Sequence, residues 1–420
     1  MEAFPTIPEW ITLEHQVAQI LTQQEQHGWY FDEPAARKLE SSLRREYEET
    51  TQLLRNRHPF VKGSEFTPKR ANKRSGYVEG ATLTKLKEFN PTSRDHISWI
   101  LQTHYGWTPK LLTASGKAAI DETVLKELGT DIALSFLKLL DLTKQLGMIS
   151  EGVNAWQKLV TTSSRIHHHC AVGTSTHRCH HRTPNLAQVP SDEQFRKLFK
   201  ATPGYTMCGA DLSGIELRLL SHYLARYDGG RYKEILLNGD IHQTNADRIG
   251  ITRRQVKTVT YAFLYGAGNI KIGHTYDPLL SEDKAKKKGK EIREAYVAAI
   301  PGLKELLEAV HKASEKGYVR GLDKRKILVD SKHKSVNYLI QGSAAILAKR
   351  WMVIANETPL KTPRQLAFIH DELQFEVHPN EVNDLKFTLQ HAALQAGEYY
   401  NLRVPIEAEA KSGPTWADVH

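Results

Sequence analysis

Three features of this 420-residue sequence predict an α+β fold. Helix-forming segments dominate up to about residue 160. A short apolar run ending in an acid, "YTMCGAD", opens a different pattern after Gly204. Two strand-like runs, "LAFI" and "LQFEV", flank the acidic turn "HDE" near the C-terminus. A chain this long exceeds one ordinary core, so two or three subdomains are expected.

Composition narrows the function classes. Hydrophobic residues make up 40% and charged residues 25%, as in a soluble globular protein. The net charge of +9 suggests a polyanionic partner, most simply nucleic acid. Cys170, Cys179 and Cys208 cannot all pair, so a disulfide framework is not indicated and a reducing compartment fits. "MEAFPTIPEW" lacks the basic and apolar regions of a signal peptide, and no run of 18 apolar residues exists. A cytoplasmic location is expected, and no membrane partner.

The elements follow in order. "LEHQVAQILTQQEQHG" puts Val17, Ile20 and Leu21 on one helix face, and Gly28 ends it. "EPAARKLESSLRREYEETTQLLRNR" is rich in helix formers. Residues 55–80 hold Arg55, Arg57, Lys62, Lys69, Arg70, Lys73 and Arg74 among Gly and Pro breakers. They read as an exposed basic loop able to contact phosphates. In "NPTSRDHISWIL", Thr92 or Ser93 can cap a helix whose N-terminus, with Ser93 and Arg94, suits phosphate. Residues 117–160 are again helical. After "YTMCGAD", "SGIELRLLSHYLARY" reads as a helix, and "KAKKKGKEIREAY" as a solvated helix face. In "LQFEV", Leu373, Phe375 and Val377 alternate with Gln374 and Glu376, the period of a half-buried strand.

Asp211 ends a strand and Asp371 sits in a turn between two strands. Either alone reads as a turn or cap residue. If their strands are neighbours, the two carboxylates can hold two Mg2+ ions, which prefer hard oxygen ligands. Two metals about 3.5–4 Å apart suit in-line nucleotidyl transfer. In "TRRQVKTVTYAFLYGAG", Arg253, Lys257, Tyr261 and Tyr265 fall four apart and form a slanted stripe on one helix face. Two cations followed by two aromatic rings suit a triphosphate with its sugar and base; an amphipathic helix with a solvated basic turn is the alternative.

"DLSGIELRLLSHY", "RRQVKTVTYAFLYGAG" and "HDELQFEV" resemble motifs A, B and C of the family A DNA polymerases, the DNA polymerase I class. The R-x3-K-x7-Y-G pattern of motif B is met by Arg253, Lys257, Tyr265 and Gly266. "LLNGDIHQTN", "FNPTSRDHI", "TPNLAQVP" and "SGPTWADVH" resemble the single-subunit replicative polymerases of podoviruses. The likeness covers nearly the whole chain, with the motifs in order.

The resemblance implies a right-hand architecture: a helical thumb over 1–165 including the basic loop 55–80, an antiparallel-sheet palm from 166–220 and 335–420, and helical fingers over 221–334. It implies a DNA-directed DNA polymerase that extends a primer with dNTPs on primer-template DNA, in phage replication in an infected bacterial host. Asp211, Asp371 and the Leu212 carbonyl would bind two Mg2+ ions, with Mn2+ able to substitute. Lys257 would protonate the leaving pyrophosphate and, with His242 and Arg253, grip the triphosphate. Tyr261 would face the sugar, its phenol being the variant that tolerates a missing 3′-hydroxyl. Tyr265 would stack at the template position. Arg178 and Gln341 would sense the minor groove, whose acceptors are shared by all correct pairs. His370 would contact the primer terminus, and Glu372 is a nearby acid without a clear role. Ser213 and Glu216 form S-x-x-E, a capping-box pattern. The resemblance instead makes Glu216 a steric gate against a 2′-hydroxyl, and that reading is favoured.

Some positions depart from the pattern. No paired acidic D-x-E motif precedes the thumb, so no exonuclease domain is expected in this chain. A separate exonuclease, helicase-primase or processivity factor is a possible partner. The 55–80 stretch is shorter than the segment by which a well-known relative captures thioredoxin, which counts against thioredoxin here. The usual T-G-R is Thr176-His177-Arg178.

"IHHHCAVGTSTHRCHH", residues 166–181, carries six histidines and two cysteines. Structural zinc sites show paired ligands at fixed spacing, and this stretch does not. A polar surface near the duplex backbone is expected instead, its charge rising as pH falls toward 6.5. A catalytically silent nucleic-acid-binding protein is the rival from another class, but binding alone needs no metal carboxylates.

Overall fold

The computed structural model describes residues 7–109, 112–113, 115–277 and 280–420. The N-terminal stretch read as lacking a leader lies partly outside them, at residues 1–6. Two compact units emerge: Met1–Glu33 with Leu159–His420, and Pro34–Lys158.

The larger unit is built on a four-stranded antiparallel sheet. Its order is Arg364–Ile369, Glu372–Val377, Thr206–Leu212, Ala408–Gly413. Gly209 pairs opposite Gln374, and a Cβ there would come within 2.6 Å of that side chain. Glycine is what lets the two central strands close over a buried polar residue. Helices Ser335–Asn356 and Val382–Tyr399 pack together, the Trp351 indole donating to the Leu389 carbonyl at 2.8 Å. Fully burying a side chain such as Leu373 or Leu389 contributes about 1.5–3 kcal/mol. The Glu372–Val377 strand departs from the half-buried expectation. All six of its residues are buried, including Gln374 and Glu376. Its polar face survives burial because it is partnered: Glu376 accepts from His27 at 2.7 Å and from the Thr202 hydroxyl at 2.7 Å.

The first helix, Glu9–His27, ends at Gly28 with φ +69°. It buries Leu13, Val17 and Leu21, spaced to form one face. That face packs on Ser335–Asn356 and Arg364–Ile369. Glu14 receives two hydrogen bonds of 2.8 Å from the buried Lys349 ammonium and a further one from Arg325. Burial alone would raise the Glu14 carboxyl, but the two cations outweigh it and hold it below its ordinary range. The first helix and residues 159–165, expected within a thumb of 1–165, lie in the same compact unit as the sheet.

The smaller unit holds helices Glu33–Arg57, Arg94–Tyr105, Glu122–Leu128 and Asp131–Leu146, the first of which begins at the unit boundary. Leu54, Val61, Phe89, Ile97, Ile100 and Phe136 form its core. The stretch expected as an exposed loop is instead structured. Phe60–Phe66 and Leu83–Glu88 pair as a two-stranded antiparallel hairpin. Val61 drives this by inserting into the core from one face of the strand, while its neighbours stay exposed. Ser93, not Thr92, caps the Arg94–Tyr105 helix by accepting from the His96 N–H.

No helix among the described residues is long and apolar enough to cross a membrane.

Candidate active site

The sheet brings the two sequence-predicted aspartates together. Asp211 lies opposite Glu372 in the antiparallel register, and the Leu212 N–H donates to the Asp371 carbonyl at 3.0 Å. Both carboxylates therefore stand at one end of the two central strands. Asp371 follows His370, whose φ of +62° in the left-handed region makes the turn tight. Burial and then the Asp211 charge push the Asp371 carboxyl up to about 7. Burial and then Glu372 push Asp211 up to about 6, although its side chain is open to solvent. Carboxylates raised by neighbouring carboxylates mark a place where positive charge is wanted.

Glu372 is turned to other work. Its carboxylate accepts from the Trp416 indole at 2.6 Å and from the Gln374 amide at 2.6 Å, and pairs with His420 at 3.1 Å. Burial would raise it, yet these partners outweigh burial and hold it low. Arg196 lies over the Trp416 ring at 4.7 Å.

The capping-box reading of Glu216 is not realised. Helix Ile215–Asp228 is capped by Gly214 with no side-chain bond, and the Ser213 N–H donates to the Glu407 carbonyl at 2.9 Å. Glu216 instead accepts from the Tyr265 hydroxyl at 2.7 Å and from Arg178 at 3.3 Å. Three residues far apart in sequence thus meet around the buried Glu216 carboxylate, Arg178 half-buried and Tyr265 exposed. Burial and the Glu216 charge push the Tyr265 phenol up to about 12.

The expected stripe lies on the Arg253–Leu264 helix, with Tyr265 just past its end. Thr252 and Gln255 form a capping box at its start. Arg253 and Lys257 are exposed on successive turns. Arg253 pairs with Asp240 at 2.6 Å, and Asp240 in turn caps the Ile241–Ile249 helix. His242 is buried, with its Nδ1 unpartnered and its ring 6.2 Å from Tyr261. Burial, with the Arg253 and Lys257 charges, lowers that imidazole below its ordinary range against the pull of Asp240. Burial, then the Glu216 and Asp371 charges, raise the Tyr261 phenol. The helix therefore offers cations at its first half and faces the carboxylates with its second.

Gln341 lies one turn after Asn337 on Ser335–Asn356, and Asn337 donates to the Leu264 carbonyl at 2.6 Å. His370 stands next to Asp371, its Nδ1 buried without a partner. Ser93 and Arg94 lie in the smaller unit, at the N-terminus of its Arg94–Tyr105 helix.

A sequence model of DNA polymerase family A matches residues 66–418. The chain belongs to DNA polymerase family A. It is 31% identical over 98% of its length to the DNA-directed DNA polymerase of Escherichia phage T7, and covers 70% of that protein. It is 30% identical, with the same coverage of both, to the DNA-directed DNA polymerase of Enterobacteria phage T3. Its fold matches the polymerase domain of Pol1 from M. smegmatis, solved with DNA primer-template and dNTP, at a TM-score of 0.77. That match has 22% identity and covers 97% of this chain and 70% of that one. This family A member is a DNA-directed DNA polymerase, and the expected α+β class holds.

In this polymerase the histidine-rich segment departs from expectation. Strands His169–Val172 and Cys179–Arg182 form a hairpin that buries Cys170, Cys179, His168 and His181. The histidines diverge: His168 bonds the Leu366 carbonyl, His169 the Glu25 carboxylate and His167 the Glu25 carbonyl. Among the described residues no group of three or more His, Cys, Asp or Glu is placed to hold a metal ion. Burial lowers His168 to about 4 and His181 to about 3, so both stay neutral at pH 6.5. The expected rise in surface charge toward that pH is corrected for these two residues.

Sequence reasoning missed Asp240, Gln374, Trp416 and His420. The available signal was chemical: the carboxylate that opens the apolar strand "ELQFEV", Glu372, needs donors, and "SGPTWADVH" supplies two.

Proposed function

We propose that this polymerase extends a primer 3′ end with dNTPs by two-metal nucleotidyl transfer, in the replication of phage DNA. The observation that carries this is the pairing of Asp211 and Asp371 at one sheet end, opposite the cationic and aromatic stripe. The sheet acts as palm, the helices of 221–334 as fingers, and the smaller unit as thumb.

The donor set fits divalent magnesium, with Mn2+ able to substitute. The Asp211 charge raises Asp371, while the Glu372 carboxylate is tied to Trp416 and Gln374. Asp211, Asp371 and the Leu212 carbonyl would hold the metal. When bound, the ions activate the primer hydroxyl and neutralise the leaving pyrophosphate.

The chain's own residues bind, orient and exclude. Arg253, Lys257 and His242 grip the triphosphate. Arg253 exchanges its exposed Asp240 partner for a phosphate, at small cost because an exposed pair contributes about 0–1 kcal/mol. Lys257 gives its proton to the leaving pyrophosphate. Tyr261 faces the sugar, and Glu216, fixed by Tyr265 and Arg178, leaves no room for a 2′-hydroxyl. Tyr265 occupies the template position before the base arrives. Arg178 and Gln341 sense minor-groove shape, His370 meets the primer terminus, and Ser93 with Arg94 offers a helix N-terminus to a DNA phosphate.

The test is a primed template offered one dNTP at a time, with and without Mg2+. Extension only by the nucleotide complementary to the template, and only with the metal, supports the proposal. Failure of the wild-type protein to extend sinks it.

A further inference from the structure

Two imidazoles of the histidine-rich segment lead straight to the site. His168 stacks on His181 with ring centroids 6.4 Å apart, and His181 meets the His370 ring edge-on at 6.1 Å. Along this row, among the described residues, Nδ1 of His168, both nitrogens of His181 and Nδ1 of His370 are buried without a partner. Buried polar atoms are nearly always hydrogen-bonded, to protein or to ordered water. Rings spaced this way hold their nitrogens beyond the direct bonding distance of about 3 Å and within reach of one bridging water.

The protons along the row run one way. A carbonyl only accepts, so His168 donates through Nε2–H to the Leu366 carbonyl at 2.8 Å. Burial lowers that ring to about 4 and keeps it neutral, which makes its Nδ1 an acceptor. Burial, then repulsion from His168 and His370, lowers His181 to about 3. Neutral His181 therefore has one N–H and one acceptor nitrogen. Its N–H serves Nδ1 of His168. Its acceptor must receive from the other end of the row, where Nδ1 of His370 stands. His370 is a residue that needs holding. Its backbone is left-handed, at φ +62°, and two side-chain torsions set where its ring points.

We infer that His181 is a positioning residue for the primer terminus: through a bridging water it accepts from Nδ1–H of His370, sets the direction of that ring and leaves its Nε2 to the primer. This inference rests on the reading of His370 as the primer contact and adds the residue behind it. His168, anchored on Leu366 in the strand that leads to His370, fixes the far end of the row.

The experiment uses His181→Phe, which keeps an aromatic ring and removes both nitrogens. It is compared with His370→Ala and with the double variant, in single-turnover insertion of one correct dNTP from the preformed primer-template complex. Each single variant is expected to slow insertion at saturating dNTP by about 5- to 50-fold, the scale of one lost buried hydrogen bond, with half-saturation by dNTP within about twofold of the wild type. In the His370→Ala background, His181→Phe adds less than about twofold, because its effect passes through His370. A wild-type rate in His181→Phe while His370→Ala is slow overturns the inference and leaves the primer contact standing. A wild-type rate in His370→Ala overturns both. Full additivity in the double variant shows that His181 only packs, and overturns the positioning role. Nitrogen NMR of the metal-free, histidine-labelled wild type, assigned through His370→Ala, needs no change to the buried row. It is expected to show His370 protonated at Nδ1, and an unprotonated Nδ1 overturns the inference.

Discussion

At the residue scale, Glu216 shows how a tertiary contact decides between two local readings. Its sequence position allows a capping box, but Tyr265 and Arg178 claim the carboxylate. If Glu216 is the proposed gate, it discriminates by shape, so Glu216→Ala should raise the kcat/KM for ribonucleotide over deoxynucleotide by about 10- to 100-fold, the range for losing one rejecting contact. An unchanged ratio removes the gate from the account. Asp371 makes a prediction of opposite sign for stability. Its folded pKa of about 7 lies above the roughly 3.9 of an unfolded aspartate. Below pH 4 both states are protonated and the site costs nothing. As pH rises from about 4 through 7 the unfolded chain ionises first, and the metal-free protein loses stability. Asp371→Asn removes that loss, so its metal-free Tm should exceed the wild type's by about 2–4 °C at pH 8 and match it near pH 4. Calorimetry in a chelator checks this, and a lower Tm at pH 8 would refute the electrostatic picture.

At the element scale, the segments carrying Asp211, Arg253 and Asp371 were legible because each pairs a local pattern with a chemical one. The Glu372–Val377 strand was legible as a strand but not as a fully buried one. Burying its polar face depends on His27 and Thr202, which are remote in sequence. The hairpin at 60–88 was hidden because its charged, glycine-broken sequence looks like a loop, and only Val61 ties it to a core. Gly289 is a further case. It lies in the charged run that reads as a solvated helix face. It is buried against residues 269–273, and an added Cβ would sit 1.7 Å from the Asn269 carbonyl oxygen. Gly289→Ala should therefore cost about 1–3 kcal/mol despite alanine's better helix propensity. Denaturant unfolding tests it, and a stabilised variant would show that the two helices can separate freely.

At the scale of the whole molecule, the sequence resemblance and the structure agree on a polymerase but divide the chain differently. The first helix joins the Ser335–Asn356 helix of the sheet's unit through Glu14 and Lys349, which no local pattern announces. The Trp416–Glu372 bond likewise joins segments 44 residues apart and ties up one of three adjacent carboxylates, leaving Asp211 and Asp371 for the proposed metal ions. The site is thus assembled by topology: antiparallel register aligns Asp211 with the 370–372 turn, and the helix following the Asp211 strand delivers Glu216 to Tyr265. The claim on which the account stands is that the Asp211–Asp371 pair performs the chemical step. Single-turnover insertion of one correct dNTP by Asp211→Asn and Asp371→Asn, at saturating DNA and Mg2+, tests it most directly. The account predicts that each variant binds primer-template as the wild type does and inserts at least about a thousandfold more slowly, as expected when a metal ligand of the reacting centre is lost. An insertion rate within about tenfold of the wild type in either variant would contradict it.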